Sequence, residues 1–258
     1  MLFDSHCHFT DEGFDGIRPE LAEQIRSSEL ARIVDIGTDL KTSLKAVLAS
    51  ETYDFCWAAV GYHPAEVGSL TEEELAKCLS LCSRKRVVAI GEIGLDYHWE
   101  DNPPRDVQQH WFRRQLQEAA RLGMPVCIHS RDADQDTLDI LKEEAFPRKV
   151  PVLMHCFSGS PELARQYVKI GAKISFAGPI TYKNARRNVE AADAVDLKDL
   201  LIETDSPYLA PVPMRGKQNL PLYVRYVAEK IAEIKGVSLA EAEDATYRNA
   251  CDFYRLPY

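Results

Sequence analysis

Six residues hold most of the chemistry that this sequence can offer. His6 and His8 stand one residue apart in "LFDSHCHFT", and Glu92, His129, His155 and Asp205 follow in "AIGEIG", "VCIHSR", "LMHCF" and "IETDS". Successive side chains of a strand point to opposite faces, so His6 and His8 share a face while Cys7 turns away. Two imidazoles on one face can hold one metal ion. His129 and His155 offer a second pair, and strand order puts Glu92 between the pairs, where a carboxylate can bridge two cations. Asp205 completes the first set and is placed to accept a proton from an attacking water. Two divalent cations about 3.5 to 4 Å apart stabilise both the attacking and the leaving oxygen of an in-line displacement, which is hydrolase chemistry. Mixed imidazole and carboxylate ligands suit Zn, Mn, Mg, Co or Ni, so the metal stays open.

Such ligands need elements that bring them to one place. Short apolar runs rich in β-formers recur at 2–7, 31–37, 55–63, 86–94, 124–130, 150–156, 171–178 and 199–205. Between them lie segments of helical spacing, among them 19–29, 71–85 and 106–123. In the last, Trp111, Leu116, Ala119, Ala120 and Leu122 recur at helical intervals and Gly123 supplies a stop. Eight βα units in 258 residues match the roughly 250 residues of a barrel enzyme. The expected fold is therefore α/β, a single (β/α)8 TIM barrel over residues 1–258, with an open doubly wound sheet as the alternative. The longest irregular stretches follow the fourth, seventh and eighth strands. In a barrel these gather at the C-terminal mouth, where the six residues at strand ends form a dinuclear metal site.

Composition narrows the setting. Residues 1–15 carry Asp4, Asp11, Glu12 and Asp15 without a basic start, unlike a signal peptide, and no stretch reaches the roughly 20 apolar residues of a membrane span. Seven cysteines in a chain able to build a core read as free thiols, with Cys78 and Cys82 as buried helical positions. A cytoplasmic protein is expected, without a membrane or an obligate protein partner. A formal net charge of −9 argues against a broad phosphate-binding surface.

The segments "DSHCHF", "GYHP", "IGEIGLDYHW", "IHSRDA", "HCFSGS" and "ETDSPYLAP" resemble, in order and almost end to end, the signatures of the TatD-related metal-dependent deoxyribonucleases. That resemblance implies a divalent-metal phosphodiesterase that cleaves DNA from its ends, with 3′ to 5′ exonuclease activity, and it implies the same six ligands. "AIGEIG" separates the chain from amidohydrolase relatives that bridge their metals with a modified lysine. In "RGKQNLP" the chain has Gln218 and Leu220 where the family usually has Arg and Glu, a departure that bears on substrate preference.

Weaker signals surround the six. The family pattern implies that His63 contacts substrate phosphate. Arg131 follows His129 by the strand-face spacing, so its guanidinium can reach a phosphate. Glu203 precedes Asp205 by two and is a candidate to orient a ligand or water. Tyr62, Tyr97, Trp99 and Phe157 are candidates for stacking on bases. On an acidic protein, binding would rest on the cations with His63, Arg131, Arg215 and Lys217, a small footprint suited to DNA ends or single strands. A hydrolase of the same fold acting on a small ester, lactone, amide or aminoacyl-tRNA is the alternative, and a non-catalytic metal-binding scaffold is a third reading.

Overall fold

Alternation along the strands divides the interior into two packed regions. In the computed structural model, which describes residues 1–258, the strands are β1 (Leu2–Cys7), β2 (Leu30–Ile36), β3 (Cys56–Val60), β4 (Val87–Asp96), β5 (Val126–Arg131), β6 (Val152–Met154), β7 (Lys173–Phe176) and β8 (Leu200–Ile202). Val126 and Ile128 of β5, Val152 and Met154 of β6, and Leu200 and Ile202 of β8 join a cluster of 59 buried residues that also takes in the helices. The residues between them, Cys127, Leu153 and Leu201, join a separate cluster of 14. The first set faces outward to the helices and the second faces into the barrel, as the period of two demands.

All neighbouring strands pair in parallel, in sequence order from β1 to β8. Around them lie α1 (Arg18–Arg26), α2 (Leu40–Thr52), α3 (Glu72–Ser80), α4 (Arg105–Leu122), α5 (Asp134–Ile140), α6 (Pro161–Lys169), α7 (Arg186–Asp193), α8 (Val224–Lys235) and α9 (Leu239–Tyr254). This is the (β/α)8 TIM barrel. Every expected strand is present, and α4 ends at Gly123, which adopts the left-handed conformation (φ 66°) as a glycine C-cap does. The helix expected over 71–85 stops at Ser80 and tightens into a 3₁₀ turn at Leu81–Ser83. No helix is long and apolar enough to cross a membrane, and all seven cysteines are unpaired.

The N-terminal end of the barrel is closed by α9, whose Tyr247, Phe253 and Tyr254 join the inner cluster. Tyr254 donates its hydroxyl to the Ser5 carbonyl (2.7 Å). The C-terminal end stays open.

Between β1 and β8 no strand ladder forms, and the seam is closed by individual hydrogen bonds. Ser5 Oγ donates to Ile202 O (2.9 Å), Asp205 N to His6 O (3.0 Å) and His8 N to Ser206 O (2.8 Å). Asp4 accepts from the Thr204 backbone (2.9 Å) and from its hydroxyl. Burial raises the Asp4 carboxyl well above its ordinary value. The seam therefore holds the two ends of the chain together where His6, His8 and Asp205 must meet.

Candidate metal centre

Glu92 stands at the centre of the mouth because β4 breaks its own alternation. The pairing register with β5 shifts between Ile90 and Ile93, so both isoleucines join the outer cluster and Glu92 turns inward. Its neighbour Gly94 (φ 143°) lies so close to β5 that a β-carbon there would fall 2.0 Å from the His129 carbonyl. Only glycine permits that approach.

The two carboxylate oxygens of Glu92 face different histidines. Oε2 is 3.5 Å from His6 Nε2 and 3.8 Å from His8 Nε2, and Asp205 Oδ1 is 3.7 and 3.4 Å from the same two nitrogens. Oε1 is 2.8 Å from both His129 Nδ1 and His155 Nε2. His6, His8 and Asp205 form one compact group of donor atoms, and Glu92, His129 and His155 another.

Outer partners decide which nitrogen of each imidazole is offered to the centre. His8 Nδ1 donates to the Ile36 carbonyl (3.0 Å). His155 Nδ1 donates to Glu203 Oε1 (3.2 Å), and Ser175 Oγ donates to the other Glu203 oxygen. His129 Nε2 donates to Asp96 Oδ2 (3.1 Å). His6 is different: it is fully buried, and neither ring nitrogen has a hydrogen-bond partner. An unmet buried polar group costs about 1 to 3 kcal/mol.

These observations fit divalent cations. Ligands about 2.1 Å from a tetrahedral ion lie about 3.4 Å apart, close to the separations around His6 and His8, which are mostly too long for hydrogen bonds. Two further groupings, His63 with Asp96 and His129, and His6 with His155 and Glu203, share residues with these two. His63 Nδ1 accepts from the Ala65 backbone (3.1 Å), so its Nε2 carries the proton. Burial lowers His63 to about 4 and keeps it neutral.

The carboxylates stay ionised against burial. Burial would raise Glu92, but His155, His129 and His6 outweigh it and hold it well below its ordinary value. Burial opposes the charge on Asp205 too, and His8, His155 and His6 bring it down. For the imidazoles the balance runs the other way. Burial would lower His8, but Asp205 and Glu92 raise it to about 9. His129 is raised against burial by Asp96 and Glu92, and His155 by Glu92 and Glu203.

The six residues named from sequence thus lie together at the mouth, with His63 beside them, its Nε2 3.8 Å from Glu92 Oε1. Arg131 lines the same open cavity of about 890 Å³, its guanidinium over the exposed ring of Trp99 (5.2 Å). The carboxylate of Asp132 is taken by His98 (2.7 Å), so Arg131 is left without an acidic partner.

Other expectations are corrected. Phe157 is buried, edge-on to Tyr167 and Phe176, while Cys156, at a positive φ of 43°, and Ser158 on either side of it line the cavity. The expectation for Glu203 is not among these: fully buried, it accepts from His155 Nδ1 and orients that ring without lining the cavity. Tyr62 is buried, and Tyr97 is held by its hydroxyl to Asp136 (2.8 Å). Arg215 stacks over Tyr182 (4.3 Å), and neither it nor Lys217 lines the cavity, which takes its cations from Arg131 and from Lys41 and Lys45 of α2. Asp96, Tyr208 and these lysines were not singled out in the sequence.

Comparison with known proteins gives one consistent result. A family model described as "TatD related DNase" matches residues 3–255. The chain is 44% identical over 256 residues to the "Uncharacterized metal-dependent hydrolase YabD" of Bacillus subtilis, covering 99% of this chain and all of that one. It is 31% identical over 261 residues to the "3'-5' ssDNA/RNA exonuclease TatD" of Cronobacter sakazakii, covering 98% and 97% of the two chains. Among solved structures, the TatD homologue YJJV of Escherichia coli superposes with a TM-score of 0.92 at 28% identity, over 99% of this chain and 98% of that one.

Proposed function

The chain belongs to the TatD-related DNase family and is a metal-dependent hydrolase, and from that premise we propose that it is a nuclease releasing nucleotides from single-stranded or frayed DNA ends, in the 3′ to 5′ direction. The observation that carries this reading is the division of Glu92, one oxygen toward His6 and His8 and the other toward His129 and His155. Two divalent cations, one held by His6, His8 and Asp205 and the other by His129 and His155, with Glu92 between them, would supply positive charge to a phosphodiester and lower the pKa of a water.

The chain's own groups do the rest. Asp205, ionised and at the edge of the cavity, accepts the proton of the attacking water. Glu92 orients both halves of the centre. His63, neutral with its proton on Nε2, donates to a phosphate oxygen. The unpaired Arg131 binds a non-bridging oxygen pair. With so few cations around the mouth, a strand terminus is held better than a long duplex. The name of the Cronobacter relative, 31% identical, supports the direction of attack. Seven unpaired cysteines suit a reducing compartment, which supports a cytoplasmic setting.

The test is digestion of one oligonucleotide labelled at its 5′ or its 3′ end, beside a closed circular strand, with Mn²⁺ or Mg²⁺ supplied. A ladder of 5′-labelled products shortening from the 3′ end, with the circle intact, is expected. Cutting of the circle would replace the exonuclease reading by an endonuclease, and no hydrolysis of either would end the nuclease reading.

A further inference from the structure

The mouth has a wall that the metal centre does not use. Tyr208, on the loop after β8, leaves 53% of its surface exposed, with its ring edge-on to His8 at 6.0 Å between centroids. Its hydroxyl donates to Asp11 Oδ2 (2.9 Å), which pins the ring in place. A large apolar surface held open beside a reaction centre is a platform for another flat group. The next residue along the chain from Asp11 is Glu12, whose carboxylate lies 3.8 Å from Lys41 Nζ and 3.7 Å from Lys45 Nζ. The two lysines are four residues apart on α2 and project from one helix face. All of these side chains line the cavity. Two ammonium groups share one exposed carboxylate at the limit of ion-pair distance, an arrangement that contributes little. The wall therefore sets two loosely paired ammonium groups beyond the aromatic face, while the Asp11 carboxylate is held by the Tyr208 hydroxyl.

Resting on the nuclease reading above, we propose that this wall is a subsite for the nucleotide adjoining the scissile phosphate, its base stacked on Tyr208 and its outer phosphate displacing Glu12 from Lys41 and Lys45. A base can stack on an exposed ring only when it is unpaired, so the subsite selects single strands and frayed ends, and it does so without reading sequence. Glu12 acts as a competitor built into the site. It occupies the lysines when no strand is bound and gives way to a phosphate, whose negative charge meets both cations at once. Opposite effects on binding follow for Glu12 and for the lysines, and a purely structural role would not produce them.

The experiment measures binding of a fluorescent oligothymidylate to Asp205→Asn protein across a salt series, beside wild-type kcat/KM on that strand and on bis(p-nitrophenyl) phosphate, a diester with no second phosphate for the lysines. In the Asp205→Asn background, Tyr208→Ala is expected to weaken binding about tenfold or more, as loss of one stacked base does, while Tyr208→Phe keeps most of it. Lys41→Gln with Lys45→Gln is expected to weaken binding and reduce the log-log salt slope by about 0.7 for the lost phosphate contact. Glu12→Gln is expected to tighten it. In otherwise wild-type protein, the ratio of kcat/KM on the strand to that on the small diester falls with the double lysine change.

If Tyr208→Phe binds as poorly as Tyr208→Ala, or the Glu12 and lysine changes move binding in the same direction or not at all, while wild type digests the strand, the subsite is overturned and the nuclease reading stands. If wild type hydrolyses the small diester and leaves the strand untouched, both fall together.

Discussion

The two halves of the metal centre share Glu92 and little else. On one side the His6 and His8 nitrogens stand 3.4 to 3.8 Å from the Glu92 and Asp205 oxygens, an open set of donors around an ion-sized space. On the other, His129 and His155 close on Glu92 at 2.8 Å, with protons where a cation would sit. Their outer supports differ in the same sense. His155 and His129 lean on the carboxylates of Glu203 and Asp96, His8 on a neutral carbonyl, and His6 on nothing. A carboxylate behind an imidazole raises its basicity and fixes its tautomer. With two ions bound as proposed, the His129 side would hold its ion more tightly, and the His6 side would hold an exchangeable one next to Asp205, the proposed proton acceptor.

Glu92→Ala should abolish this distinction. Both ions are expected to be lost, and hydrolysis to fall to the metal-free level, as read by elemental analysis alongside turnover. Retention of one equivalent of metal would mean that the halves are independent.

Asp205→Asn should affect one half only. The expected outcome is one tightly held ion on the His129 side and turnover lower by about 10² to 10⁴, the range for a positioned acid–base group. Wild-type turnover in this variant would remove Asp205 from the chemistry.

Glu203→Gln and Asp96→Asn remove the negative charge behind one half while keeping nearly the same shape. Each is expected to weaken the tighter of two metal-binding steps by about 10- to 100-fold, measured calorimetrically, and to leave the weaker step nearly unchanged. Equal weakening of both steps would mean that the halves do not differ as their supports suggest.

A smaller effect is expected from pH. In metal-free protein the raised values of His8 (about 9), His129 and His155 make their protonation stabilising. That contribution is complete below the unfolded value near 6.5 and is lost as pH rises toward 9. Cations need the imidazoles unprotonated, so their binding strengthens over the same interval. The difference in Tm between metal-loaded and metal-free protein should therefore widen from pH 6.5 to 9. A constant or narrowing difference would show that the imidazoles are not protonated without metal.

The barrel, and the meeting of the six residues proposed as ligands, were legible in the sequence because each of the six closes an apolar run, where an unpaired polar group in a dry core would be costly. Asp96 escaped because β4 reads as ending at Gly94, whereas the strand runs on to Asp96. With the two extra residues, it becomes another carboxylate at a strand end. Phe157 reads as a stacking candidate because it lies just past a strand end, but after the positive φ of Cys156 its ring is buried. Lys41 and Lys45 look in sequence like any solvated helix face, and only the fold brings that face to the mouth. The seam between β1 and β8 leaves no local signal, since its hydrogen bonds join residues about 200 apart.

The most direct measurement is anomalous scattering from crystals soaked in Mn²⁺. Two peaks are expected on either side of the Glu92 carboxylate, one within coordination distance of His6, His8 and Asp205 and the other of His129 and His155, with the second more fully occupied at limiting metal. A single peak, or two peaks that do not share Glu92, would contradict the shared dinuclear centre.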